Sequence, residues 1–287
     1  MSCRIIMLSY QHAYHAGNFA DVHKHLTLFA TIEYLLRKPS PVTYIDTHAG
    51  RGFYPLSSEE TQRLKEYRDG VWPLWEAAQS VSDPLLCSWL DALSRGQRHP
   101  NELAHYPGSP WWISQALRAR ERLYGFELHP GEHQHFDDQA LAESVERIHG
   151  DGLQGLCQRL PVATPRVCVL IDPSYERKDE YQLVADTLNV ALAKARHAVV
   201  LIWYPLLPAN NHKVLLEALE RSGIRKIWRS ELCLRDADTQ ERGMYGSGML
   251  VINPPWGLDE RLAGAMAQLT PLLGTQSRYC ASWLVGE

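Results

Sequence analysis

Val42-Thr43-Tyr44-Ile45-Asp46-Thr47-His48-Ala49-Gly50-Arg51-Gly52 is the stretch on which the fold reading turns. Its first five residues read as a short buried strand, and they run straight into a glycine-bearing turn. Just upstream, segment 19–37 carries apolar residues at helical spacing, with Asn18 available as N-cap and Pro39 closing the run. Downstream, strand-like runs at 123–128, 145–149, 166–172, 198–204, 225–234, 248–253 and 277–285 alternate with helical patterns. Those patterns lie around 130–143, 151–160, 179–195, 208–222 and 257–272. Such alternation predicts an α/β fold built from βαβ units, with a mostly parallel sheet covered on both faces. In sheets of this kind ligands bind beyond the carboxyl ends of the strands, near the point where strand order reverses.

Segment 55–105 breaks the rhythm with three helical stretches, 59–67, 72–79 and 85–93, followed by a polar loop over 94–101. A structureless loop of about 50 residues is rare in a compact domain, so a helical insertion in the first crossover is expected. The division is then 1–54 for the N-terminal segment and the start of the main domain, 55–105 for an inserted helical subdomain, and 106–287 for the remainder.

The composition suits a globular enzyme or binding protein: 287 residues, 45% hydrophobic and 22% charged. It excludes disordered and collagen-like classes. There is no uninterrupted apolar run near ~20 residues to span a membrane, and residues 1–8 lack the long apolar stretch of a signal peptide. The six cysteines form no Cys-x-x-Cys pair, so reduced thiols and a cytoplasmic setting are expected. A net charge of −4 argues against gross electrostatic capture of nucleic acid but leaves room for a local patch.

Four strand ends carry polar groups in order. Asp46 with His48, Gly50 and Gly52 follows the first; Glu127 ends the second; Gly150-Asp151-Gly152 follows the third; Asp172-Pro173-Ser174-Tyr175 follows the fourth. Together they suit an adenosine-bearing cofactor. Small residues let backbone approach a ligand closely, Glu127 can accept from both ribose hydroxyls, and Asp151 can take the adenine amino group. The last tetrad suits alkylation of an exocyclic adenine nitrogen, a poor nucleophile until acceptors are placed on its hydrogens. Asp172 and the Pro173 carbonyl can act as that pair, and Tyr175 can stack on an extruded base, worth ~1–3 kcal/mol. A second tetrad, Asn253-Pro254-Pro255-Trp256, competes in its letters. It follows a late strand, away from the expected crevice, and reads as a structural turn with Trp256 packed.

At this point a resemblance is visible. Leu8-Ser9-Tyr10, His15-Ala16-Gly17-Asn18, Asp21, Lys24-His25, Asp46-Thr47-His48-Ala49-Gly50 and Tyr106-Pro107-Gly108-Ser109-Pro110 contribute to it. So do Glu127-Leu128-His129-Pro130, Asp151-Gly152, Gly223-Ile224-Arg225-Lys226-Ile227 and Val251-Ile252-Asn253-Pro254-Pro255-Trp256. Together they resemble the bacterial 23S ribosomal RNA adenine-N6 methyltransferases of the J type, from about Met7 to the C-terminus. The resemblance implies a class I S-adenosylmethionine-dependent fold, Rossmann-like, with a mostly parallel seven-stranded sheet and an inserted helical subdomain. It implies transfer of one methyl to N6 of one adenine in 23S rRNA, on naked RNA or an early assembly intermediate, by a monomer. Carried over by position, His25, His48, Ser109, Glu127, Asp151 and Gly152 would hold S-adenosylmethionine. Asp172 would be the catalytic acceptor, and Tyr10, Lys24, Pro173 and Tyr175 would meet the RNA. Met7 matches the usual family start, which makes Met1–Ile6 an extension or a misassigned start. Where the family tetrad has Pro, this chain has Ser174, which restores an N–H and loosens the loop.

Thirteen histidines invite a metal site, but no His/Cys spacing is that of a zinc ligand set, and none is expected. Arg225, Lys226 and Arg229 are candidates for RNA phosphate contacts, against the default of a solvated face. The rival readings are a DNA adenine methyltransferase and an inactive RNA-binding relative.

Overall fold

The computed structural model describes residues 10–236 and 243–287. The start-site alternative at Met1 or Met7, and the motif residues Leu8 and Ser9, lie outside the described residues.

Asn18 caps α1 (Phe19–Leu36): its side-chain oxygen accepts from the Asp21 N–H at 2.9 Å, satisfying one of the helix's free donors. The helix stops at Arg37, ahead of Pro39 and Pro41. Then follow β1 (Val42–Asp46), β2 (Phe53–Pro55), α2 (Glu59–Leu64), α3 (Val71–Glu76), α4 (Pro84–Arg95), β3 (His105–Pro107) and α5 (Ser109–Ser114). The second half comprises β4 (Arg122–Glu127), α6 (Pro130–Asp137), β5 (Val145–His149), α7 (Gly152–Arg159), β6 (Arg166–Ile171), α8 (Glu180–Lys194) and β7 (Val199–Leu206). It continues with α9 (His212–Arg221), β8 (Ile227–Cys233), β9 (Gly246–Ile252), α10 (Leu258–Leu273) and β10 (Arg278–Val285).

Among the described residues the main sheet has eight strands in the order β10-β8-β9-β7-β6-β1-β4-β5, one more than the expected seven. The run β7-β6-β1-β4-β5 is parallel, while β9 lies antiparallel between β7 and β8, and β10 adds an antiparallel edge. Side chains alternate between two cores, as the two-residue period of a strand requires. In β6, Cys168 and Leu170 face the layer with α1, α4 and α10, whereas Val167, Val169 and Ile171 face the layer with α7, α8 and α9. Helices α2 to α4 lie between the paired strands β2 and β3, where Pro55 registers with His105. Their Leu74, Leu86, Trp89 and Leu93 join the core beneath α1 and α10. Among the described residues no helix is long and apolar enough to cross a membrane.

Strand direction decides between the two tetrads. Strand β9 runs antiparallel to β7, with Ile252 opposite Val200, so Asn253 emerges at the amino end of the parallel strands. There its side-chain amide donates to the carbonyls of Arg196 and Ala198 at 2.9 and 2.8 Å, forming a structural turn. The expectation that Trp256 packs is corrected: it is 88% exposed. Arg225 and Lys226 reach the same far edge, one residue or two before β8, where Lys226 pairs with the Glu287 carboxylate at 2.9 Å. Arg229 lies within β8, 4.0 Å from Glu231.

Candidate active site

At the opposite edge, where strand order reverses between β1 and β6, lies a cavity of about 920 Å³. Tyr10, Lys24, His25, His48, Ser109 and Glu127 line it, as do Asp151, Gly152, Asp172 and Pro173.

From β1, the buried Asp46 accepts from the His48 N–H at 3.3 Å through one oxygen, while the other has no hydrogen-bond partner among the described residues. Burial pushes its carboxyl up to about 7, with the Ser109 hydroxyl opposing. His48, bonded to the Thr47 hydroxyl at 2.7 Å, is pushed down to about 4 by burial and is neutral at pH 7. Gly50 has φ +60°, and a Cβ there would strike the Tyr54 hydroxyl. Its glycine is therefore demanded by the turn and by protein packing.

Glu127, at the tip of β4, is gripped by two backbone donors, Gly50 N–H at 2.9 Å and His129 N–H at 2.7 Å. Burial raises its pKa while these donors oppose the rise. Each oxygen accepts one protein bond and keeps a lone pair for a further donor. Asp151 plays a part that its spacing did not reveal: one oxygen N-caps α7, accepting from Leu153 and Gln154 at 2.9 and 3.0 Å, leaving the other for a ligand. A Cβ on Gly152 would run into the Thr47 carbonyl, so that position seats α7 against the β1 turn. His25, on α1, bonds the Tyr106 hydroxyl at 2.8 Å, and burial holds its pKa well below the usual imidazole value.

Asp172 follows β6 and remains 12% exposed through the cavity. Burial raises its pKa, opposed by the Lys24 ammonium 2.5 Å away. Lys24 also lies 3.0 Å from Asp21, a residue of the next α1 turn back. Tyr10 stacks on His15 with ring planes 7° apart and bonds His12 at 2.9 Å. His12 in turn bonds Asp21 at 2.9 Å. Sequence reasoning missed the inward use of His12 and Asp21; the i, i+3 spacing of Asp21 and Lys24 on one helix face was the available signal. Two other early histidines go elsewhere. His15 pairs with Glu66 at 3.0 Å, and His23 is sealed between Ser247 and Ser230, where burial pushes it down to about 3.

Tyr175 is corrected. It adopts φ +53°, which turns its ring inward onto Tyr181, 4.2 Å away, while its hydroxyl donates to the Trp203 carbonyl at 2.8 Å. The ring is 6% exposed and is absent from the cavity lining, so in this arrangement it offers no face to a base. Ser174, half-buried, lines the cavity, and its hydroxyl accepts from the Glu176 N–H at 3.5 Å.

This chain is similar to known proteins along nearly its whole length. The family model described as "Ribosomal RNA large subunit methyltransferase D, RlmJ" matches residues 39–285. The "Ribosomal RNA large subunit methyltransferase J" of Escherichia coli K12 is 37% identical, covering 98% of this chain and 100% of that protein. The protein of the same name from Haemophilus influenzae is 36% identical with the same coverage. A crystal structure of a Legionella pneumophila protein aligns with TM-score 0.87 at 32% identity, covering 94% of this chain and 98% of that one.

Proposed function

The chain belongs to the ribosomal RNA large subunit methyltransferase J family, and on that premise we propose that it methylates N6 of one adenine in 23S rRNA using S-adenosylmethionine. The donor set fits that cofactor: two carboxylates with spare lone pairs, Glu127 and Asp151, share a cavity with neutral imidazoles at His25 and His48. Glu127 would take the ribose hydroxyls and Asp151 the adenine amino group, with His25, His48, Ser109 and Gly152 completing the pocket. S-adenosylmethionine supplies a methyl group carried on a positively charged sulfur.

Asp172 and the carbonyl of Pro173 would accept the two N6 hydrogens, drawing the nitrogen lone pair out of the ring and toward the methyl. Positioning and polarisation of this kind supply most of the rate in such a displacement. The Lys24 ammonium favours the ionised form of Asp172 against its burial, and Tyr10 stands at the same cavity wall to meet the RNA. The target base must leave any stack to enter, which favours naked rRNA or an early assembly intermediate. A cytoplasmic monomer suffices for this work.

The observation that carries the reading is that Asp172 shares one cavity with Glu127 and Asp151. Methyl transfer from radiolabelled cofactor is to be compared on DNA and on 23S rRNA from cells lacking this protein. Label is expected in a single RNA adenine, and Asp172→Ala abolishes it while calorimetric cofactor binding persists. Label in DNA alone, or a fully active Asp172→Ala, refutes the assignment.

A further inference from the structure

Lys24 is shared by two carboxylates of unequal access. Its Nζ lies 3.0 Å from Asp21 Oδ1 and 2.5 Å from Asp172 Oδ2. The Asp21 side chain is 1% exposed, and its other oxygen already accepts from His12 Nε2 and the Gly17 N–H, both at 2.9 Å. Asp172 opens on the cavity.

Glu127 and Asp151 place further carboxylates on the same cavity wall, so the trio is one contributor to its charge. The Tyr10 hydroxyl lies 2.9 Å from His12 Nδ1, and His12 Nε2 lies 2.9 Å from Asp21 Oδ2. His25 and His48 are neutral, His15 faces Glu66, Arg177 faces Asp179, and Arg51 faces Glu132. Two carboxylates against one ammonium leave the trio with one surplus negative charge. If Asp21 were absent, Lys24 and Asp172 would cancel and the trio would add no negative charge to the cavity.

We propose that Asp21 is a positioning residue that offsets the charge of Lys24, so that the Asp172 charge stays available to the sulfonium before transfer and to the N6 proton after it. The inference rests on the adenine-N6 reading above. In the balanced step the N–C bond forms as the S–C bond breaks, positive charge passes from sulfur to N6, and the proton leaving N6 goes to the Asp172 carboxylate. One positive charge faces the trio at each end of the reaction.

S-adenosylmethionine and S-adenosylhomocysteine differ by this methyl and this charge, so calorimetry with the two reads the surplus directly. Asp21→Asn is expected to weaken the sulfonium ligand on the order of tenfold relative to the thioether, the scale of one charge at short range in a partly buried site. Asp21→Glu keeps the charge and is expected to keep the wild-type affinity ratio. At a pH above the raised Asp172 pKa, the double variant Asp21→Asn, Lys24→Met has the wild-type net charge, and is expected to restore the ratio to within about twofold. The double variant also carries the test should the single one fail to fold. A single variant with the wild-type ratio, or a double variant with a ratio as low as tenfold down, overturns the proposal. Wild-type protein that binds neither ligand would instead overturn the methyltransferase reading beneath it.

Discussion

Replacing Lys24 with Met puts the charge argument under direct strain. Its ammonium is 6% exposed and bridges Asp21 and Asp172 at 3.0 and 2.5 Å, so its loss leaves two nearly dry carboxylates facing a thioether. An opposite charge this close depresses a carboxylate pKa by about 1–3 units, and burial already pushes Asp172 the other way. Lys24→Met therefore raises the Asp172 pKa further. The ionised form is the acceptor, so activity is lost below that pKa, and the acid limb of the pH–rate profile moves up with it. Single-turnover methyl transfer over roughly pH 5.5 to 9 reads the limb. Stability runs the opposite way. A carboxylate whose folded pKa is raised stabilises the fold at low pH, and that contribution disappears as pH rises through the folded pKa. The variant should thus lose about 3 kcal/mol at neutral pH, and the deficit should shrink on acidification. An acid limb that stays in place while the rate falls would show that Lys24 does not govern the ionisation of Asp172.

Three further outcomes follow from particular contacts. His23 is fully buried with its pKa pushed down to about 3, so it contributes stability above pH 6.5 that is lost progressively as pH falls toward 3. Thermal melts of His23→Asn should show a flatter acid slope than wild type, by up to about 1.4 kcal/mol per pH unit; parallel slopes would count against a neutral His23. Gly152→Ala drives a Cβ into the Thr47 carbonyl, and is expected to cost about 1–3 kcal/mol in denaturant titrations and to weaken cofactor binding by calorimetry. Tyr175→Leu removes the ring and the donor to the Trp203 carbonyl, and should lower stability by about 2–4 kcal/mol while methyl transfer by the folded protein continues, because the ring packs on Tyr181 and not against the cavity; loss of activity in a folded Tyr175→Leu would restore a stacking role.

Much of the scaffold was legible because it is local. The helical period of 19–37, the Asn18 cap and the Pro39 stop describe α1 to within a residue, and the buried run 42–46 is β1. The ordered strand ends do meet at one cavity through His48, Glu127, Asp151 and Asp172, with Asp46 buried behind its wall. Short elements escaped: β2, β3 and α5 are three to six residues long, too few to display a period. Asp151 as an N-cap was missed because its flanking glycines drew attention to a ligand and away from the helix they begin.

By itself, then, the sequence determined where the longer helices and strands lie and which polar groups close the parallel strands, because these follow from periods and caps within a few residues. Tertiary structure alone decided that β9 reverses and carries Asn253–Trp256 to the far edge, that Tyr175 turns inward, and that Asp21, Lys24 and Asp172 share one charge. Those outcomes depend on strand direction and on partners as far apart as residues 24 and 172, which no local pattern encodes.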